Sequence, residues 1–271
     1  MKIIHRIGFR ATDAQRRELE ALGVKVPAGI AMPGGGNAFV AFDVTEGHSN
    51  WIQIRTLLQR WDISGGAVRT KFSNAEIAAA SWLELGAWHH GYPQPNEGVF
   101  GYRQATYDLT DWCEQCSVGM TQRASFQMKG EPTWGRNSML QLVWVYDEIF
   151  VKPELWTSVF KPHGIGCRVV MNTKGAELKT VVQVLIEEEV GIVTDGLPFE
   201  ECMRCRRAKY LPITRGAFPS LTSGPSQAIV KTKEYFGSGG QANKRVLVSR
   251  DLARALAAGN VRGAELRPVA K

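Results

Sequence analysis

Residues 107–118 read Tyr-Asp-Leu-Thr-Asp-Trp-Cys-Glu-Gln-Cys-Ser-Val, and residues 199–207 read Phe-Glu-Glu-Cys-Met-Arg-Cys-Arg-Arg. Each holds one Cys-x-x-Cys step, Cys113 with Cys116 and Cys202 with Cys205, and each follows an extended segment. A Cys-x-x-Cys turn aims two thiolates at one centre, and a second such turn completes a tetrahedron. One pair alone is ambiguous, because redox motifs share the spacing. Two pairs in one chain point to a structural zinc ion. The 85 intervening residues (117–201) exceed the span of a zinc ribbon, so the fold has to carry the loops together. Such an ion would pin the second half of the chain and leave no coordination position for water or substrate. Two readings stay open beside it. The thiols are unliganded or form two redox pairs, or a mixed site recruits His163 or Cys167 from His163-Gly-Ile-Gly-Cys167.

Outward from the first pair, the N-terminal 87 residues alternate strand and helix. Residues 2–9 predict a strand, Thr12 caps a helix to about Leu22, and 38–44 alternate as a second strand. Ser49 caps a helix over 50–61 carrying Ile52, Leu57, Leu58 and Trp61. A strand at 67–72 and a capping box of Ser73 with Glu76 follow. Beyond the aromatic, Pro-rich stretch at 88–95 the chain turns β-rich. Strands are expected at 102–109, 122–129 and 139–146, a Pro153-led helix to Phe160, and a hairpin turning at Gly175. Ser249 caps a last helix before a strand at 265–269. The expectation is an α+β fold: an N-terminal α/β domain, 1–87, then a β-rich, zinc-pinned domain, 88–271.

Composition narrows the function classes. Apolar residues make up 44% and charged residues 22%, a globular balance that excludes a disordered chain. No run of 18 apolar residues occurs, and the first residues carry no signal-peptide pattern, so a cytoplasmic protein with no membrane role is expected. The net charge of +7 is concentrated in residues 231–271, which hold nine Lys or Arg against three acids. That basic segment, with Arg204, Arg206, Arg207 and Lys209, supports nucleic-acid binding as an alternative. The basic cluster also has a structural reading: it offsets the net charge of −2 that four thiolates leave on one Zn²⁺.

Trp88, His89, His90 and Tyr92 form the best candidate recognition surface, since aromatics and histidine on a loop can stack a base or fill a partner's pocket. His89, His90 and Glu148 would serve a third reading, an enzyme acting on a nucleotide or modified protein. Asp147 and Glu148 are otherwise expected as helix N-terminal charge. No nucleophile triad or phosphate loop is present in the pattern.

With both Cys-x-x-Cys pairs placed, the chain resembles bacterial immunity-type proteins carrying a doubled motif. Its closing segment, Arg245-Val-Leu-Val-Ser-Arg-Asp-Leu and Gly263-Ala-Glu-Leu-Arg-Pro-Val, is similar to the end of the related Imm11-like domains. The resemblance covers about residues 100–271. In that family a glycine follows the second cysteine, where Ser117 and Arg206 stand here. It implies a non-enzymatic protein that binds a toxin-like partner protein, its cysteines holding a structural metal.

Overall fold

Ile7 and Ala11, an even number of residues apart on Lys2–Ala11 (β1), are buried on one face of a three-stranded antiparallel sheet. The helix Asp13–Ala21 (α1) begins at a complete capping box, Thr12 Oγ1 accepting from Gln15 N–H and Gln15 Oε1 accepting from Thr12 N–H. Ala38–Thr45 (β2), Trp51–Arg60 (α2) and Gly66–Lys71 (β3) follow, in sheet order β2-β1-β3. Leu19, Val40, Phe42, Ile54 and Leu58 form the core beneath the helices. α2 is capped by Asn50 rather than Ser49, with no side-chain cap bond, because the Asn50 amide donates to Leu22 O instead (3.0 Å). Its inward residues are Ile54 and Leu58, one turn apart; Ile52 is exposed.

The structure, a computed structural model, describes residues 1–33, 35, 37–63, 66–87, 90–95 and 100–271. The chain divides into two units: Met1–Ser73 with Ile213–Gly216, and Asn74–Pro212 with Ala217–Lys271. In the smaller unit, Thr70 Oγ1 donates to Thr214 O, and Arg215 pairs with Glu46.

The larger unit contains Asn74–Ala79 (α3), Trp82–Ala87 (β4), His90–Gly91 (β5), Tyr102–Thr106 (α4), Tyr107–Asp108 (β6), Thr121–Gln122 (β7) and Gln127–Met128 (β8). Met139–Leu142 (β9), Val145–Val151 (β10), Pro153–Leu155 (α5), Cys167–Asn172 (β11) and Glu177–Val184 (β12) come next. Glu189–Val190 (β13), Phe199–Glu201 (β14), Ala208–Tyr210 (β15), Ile229–Thr232 (β16), Val246–Ser249 (β17), Arg250–Ala258 (α6) and Ala264–Pro268 (β18) complete it. One sheet runs β5-β9-β10-β12-β11-β8 and another β13-β16-β17-β4-β18. β4 pairs with both β17 and β18, so residues 74–87, read from the sequence with the N-terminal domain, belong to this unit.

β10 explains the layering. Ile149 and Val151 enter one core with Leu83, Leu85 and Val248, while Val145 and Phe150 enter a second with Phe126 and Leu140. Burial on both faces accounts for the consecutive apolar residues at 149–151. The expected single strand at 139–146 is instead a hairpin turning at Val143 and Trp144, with Trp144 at φ 70. The expected strand at 102–109 is mostly helical, its extended part reduced to β6. The fold is α+β, with the four paired cysteines in the larger unit.

Candidate metal centre

Two short ladders carry the cysteines. β6 pairs with β7 through Tyr107↔Gln122 and Asp108↔Thr121; β14 pairs with β15 from Phe199↔Tyr210 to Glu201↔Ala208. Each ladder ends in the same turn. In the first, Cys113 N–H donates to Val118 O (2.9 Å) and Ser117 N–H to Cys113 O (2.7 Å). In the second, Cys202 N–H donates to Arg207 O (3.1 Å) and Arg206 N–H to Cys202 O (2.8 Å). Gly119, at φ 102, lets the knuckles close: a Cβ there would stand 2.1 Å from Asp111 O and 2.5 Å from an Arg207 guanidinium nitrogen.

The four Sγ atoms lie within 4.8 Å of one another, with Cys113–Cys202 at 3.8 Å and Cys116–Cys205 at 3.6 Å. Metal–sulfur bonds of about 2.3 Å give a tetrahedral edge of roughly 3.8 Å. The sulfurs are therefore spaced for coordination, and far beyond the roughly 2.05 Å of a disulfide. Cys113, Cys116 and Cys202 are buried and Cys205 is half-buried.

The surroundings split the thiols electrostatically. Arg207 Nε donates to Cys205 Sγ (3.4 Å) and, with its backbone N–H, draws that thiol down to about 6. The backbone N–H groups of Cys205 and Arg204 lower Cys202. Burial pushes Cys116 up to about 12. Four soft thiol donors suit a divalent ion, whose charge would allow all to ionise. Two cations would balance the net charge of such a centre. Arg207 also donates to Asp111 O (2.6 Å), and buried Lys209 donates to Gly239 O (2.5 Å) and Cys116 O (3.5 Å). These bonds tie the metal loops to each other and to the 237–242 loop, the outer shell that fixes ligand geometry.

Other residues singled out in the sequence lie apart from this cluster. His163, in a short turn, and Cys167, in β11, are outside the four-sulfur group, which answers the mixed-site alternative. Arg204 pairs with Glu114 (3.4 Å) and Arg206 with Glu201 (2.9 Å), both in solvent. Trp88 and His89 lie outside the described residues; His90 belongs to β5 by its backbone, and Tyr92 is exposed. The basic C-terminal segment is largely engaged internally. Lys231 meets Glu148, Lys244 meets Glu189, Arg245 and Arg267 both meet Glu84, and Arg254 meets Asp251. Asp147 and Glu148 sit within β10 and not at a helix start, since the helix begins at Pro153.

Sequence reasoning placed Lys209 in the basic cluster that offsets the thiolate charge but not its burial, named Ser117 but not its backbone, and gave no part to Gly119. Only a left-handed backbone or a buried ammonium would have marked them, and neither has a signature in residue type. Compared with protein-family models, curated proteins and solved structures, the chain matches none.

Proposed function

We propose that the protein is a zinc-stabilised binding protein of the bacterial immunity type, neutralising a toxin-like partner protein through a surface of its larger unit. The convergence of four sulfurs at tetrahedral spacing carries the zinc part. A tetrahedral all-sulfur donor set suits zinc, and with four protein ligands the ion holds structure and does no chemistry. Structural zinc binds with an apparent energy of about 10–16 kcal/mol in small peptides, comparable to a whole domain's net stability. The partner role is supported by the resemblance of the doubled motif and closing segment. The engagement of Arg204, Arg206 and the C-terminal cations in ion pairs weighs against phosphate contact as the main activity.

Metal analysis of the purified protein tests the first part. One zinc per chain is expected, lost in Cys202→Ser and kept in Cys167→Ser; a metal-free native protein overturns it. Co-expression with the product of a neighbouring gene tests the second. Complex formation and relief of that product's toxicity are expected, and an unbound, still toxic neighbour counts against it.

A further inference from the structure

Beside the first metal knuckle lie two cavities that share Ser117, Met120, Trp144 and Ala242 in their walls. One, of about 310 Å³, is mainly apolar and is lined by Phe100 and Trp144, whose rings meet edge to face at 6.0 Å, and by Arg103, whose guanidinium lies over the Phe100 ring at 4.3 Å. The other, of about 240 Å³, is polar. Together they reach the size of a small-molecule site and combine an apolar wall with a few polar groups.

Three observations mark this place as built for a ligand. Phe100 and Trp144 hold left-handed backbone, at φ 62 and 70, and both line the apolar cavity. Such conformations cost non-glycine residues free energy and gather at functional sites. Trp144 is 49% exposed at the tip of its hairpin, a large aromatic face left in water. Tyr107 is only 6% exposed, lines the polar cavity, and its hydroxyl makes no hydrogen bond among the described residues.

The charge inside the polar cavity selects the ligand. Four carboxylates line it (Asp147, Glu148, Glu187, Glu189) against Arg168, Lys231 and Lys244. Lys231 is taken by Glu148 at 2.5 Å, and Lys244 by Glu189. Among the described residues of the polar chamber, Asp147 and Glu187 then face Arg168, while Arg103 stands in the wall of the apolar chamber. Asp147 is half-buried, makes no ion pair among the described residues, and accepts only the Lys244 N–H (3.3 Å). Its field is felt nearby: burial first, then the Asp147 charge, hold the Tyr107 hydroxyl above its usual range.

We propose that this double cavity binds a small molecule joining a primary ammonium group to an aromatic or apolar body. The ammonium meets Asp147 and Tyr107 in the polar chamber, and the body lies against Trp144 and Phe100 in the apolar one. An ammonium desolvated there gains from both the carboxylate and the aromatic face.

Titration of the zinc-loaded full chain with 2-phenylethylamine and its acidic analogue 3-phenylpropionate, followed by calorimetry, tests the site. Saturable amine binding at millimolar concentration is expected, with the acid at least about 10-fold weaker. Asp147→Asn should remove that preference, and Trp144→Ala, at an exposed position, should weaken the amine by about 5-fold. Absence of saturable amine binding, equal or tighter binding of the acid, or unchanged amine affinity in both variants overturns the assignment. Zinc content, measured on the same samples, separates this outcome from failure of the metal centre.

Discussion

Ser117 and Arg206 occupy one and the same backbone position in two different loops. Each directly follows the second cysteine of its pair, each is left-handed (φ 63 and 60), and each donates its N–H to the carbonyl of the first cysteine. Glycine is the residue this conformation favours. The chain carries side chains there, and their uses differ. Ser117 Oγ donates to Gly240 O (2.6 Å), whereas the Arg206 side chain reaches only Glu201, in solvent.

Replacing the two with glycine should therefore give opposite results. Arg206→Gly relieves strain and gives up a surface ion pair, so a gain of up to about 1 kcal/mol is expected in urea unfolding of the zinc-loaded protein. Ser117→Gly loses a buried hydrogen bond as it relieves the same strain, and should be neutral or destabilising by about 1 kcal/mol. Equal gains in both would refute the distinction.

Gly119→Ala should be far more damaging. The added methyl would collide with Asp111 O and the Arg207 guanidinium, at a φ that suits glycine. The knuckles could not close, and less than one zinc per chain should be recovered, with a loss of at least about 3 kcal/mol in stability.

Arg207→Gln should leave four ligands in place and still weaken the centre. It removes the Nε donor to Cys205 and the bond to Asp111 O. Competition with a coloured chelator should show a 10- to 100-fold loss of zinc affinity, the usual cost of an outer-shell change.

Lys231→Met should cost about 3–5 kcal/mol, because it strands the Glu148 carboxylate, 5% exposed, without its counter-charge. Lys231→Met with Glu148→Leu should recover most of that loss, since no buried charge then remains. Denaturant midpoints of the two variants decide it.

Glu188 gives a pH-dependent term. Its carboxylate accepts the Ser226 N–H, then the Gln227 N–H and Ser226 hydroxyl, which hold it below the usual carboxylate range. A folded-state value lower than the unfolded one stabilises the fold above the unfolded value, and the effect is lost as pH falls through the folded value. Glu188→Gln should therefore reduce the melting temperature at pH 7, and the difference from the parent protein should shrink as pH falls through the folded value.

Elements with a local cause were legible in the sequence. Thr12 with Gln15, Ser249 with Leu252, and Gly175 at φ 81 mark their helix starts and hairpin in residue type alone. The Cys-x-x-Cys steps named all four sulfurs of the cluster. What stayed hidden depends on distant partners. β4 looks like a neighbour of β3 until β17 and β18 flank it, and Lys231 looks like a surface cation until β16 brings it to Glu148 on β10. The Trp144 turn was hidden for a different reason: the sequence offers a run of strand formers where the chain reverses, and the turn lies on a residue that local preference would not choose.

The long reach between the two knuckles has a consequence for biosynthesis. Cys113 and Cys202 are 89 positions apart, so at roughly 5–20 residues per second the first thiols emerge about 4–18 s before their partners. With zinc bound as proposed, they would during that interval be half a ligand set, open to oxidants and to competing ions. The growing chain thus depends on its cellular surroundings keeping those sulfurs reduced until translation delivers the other half.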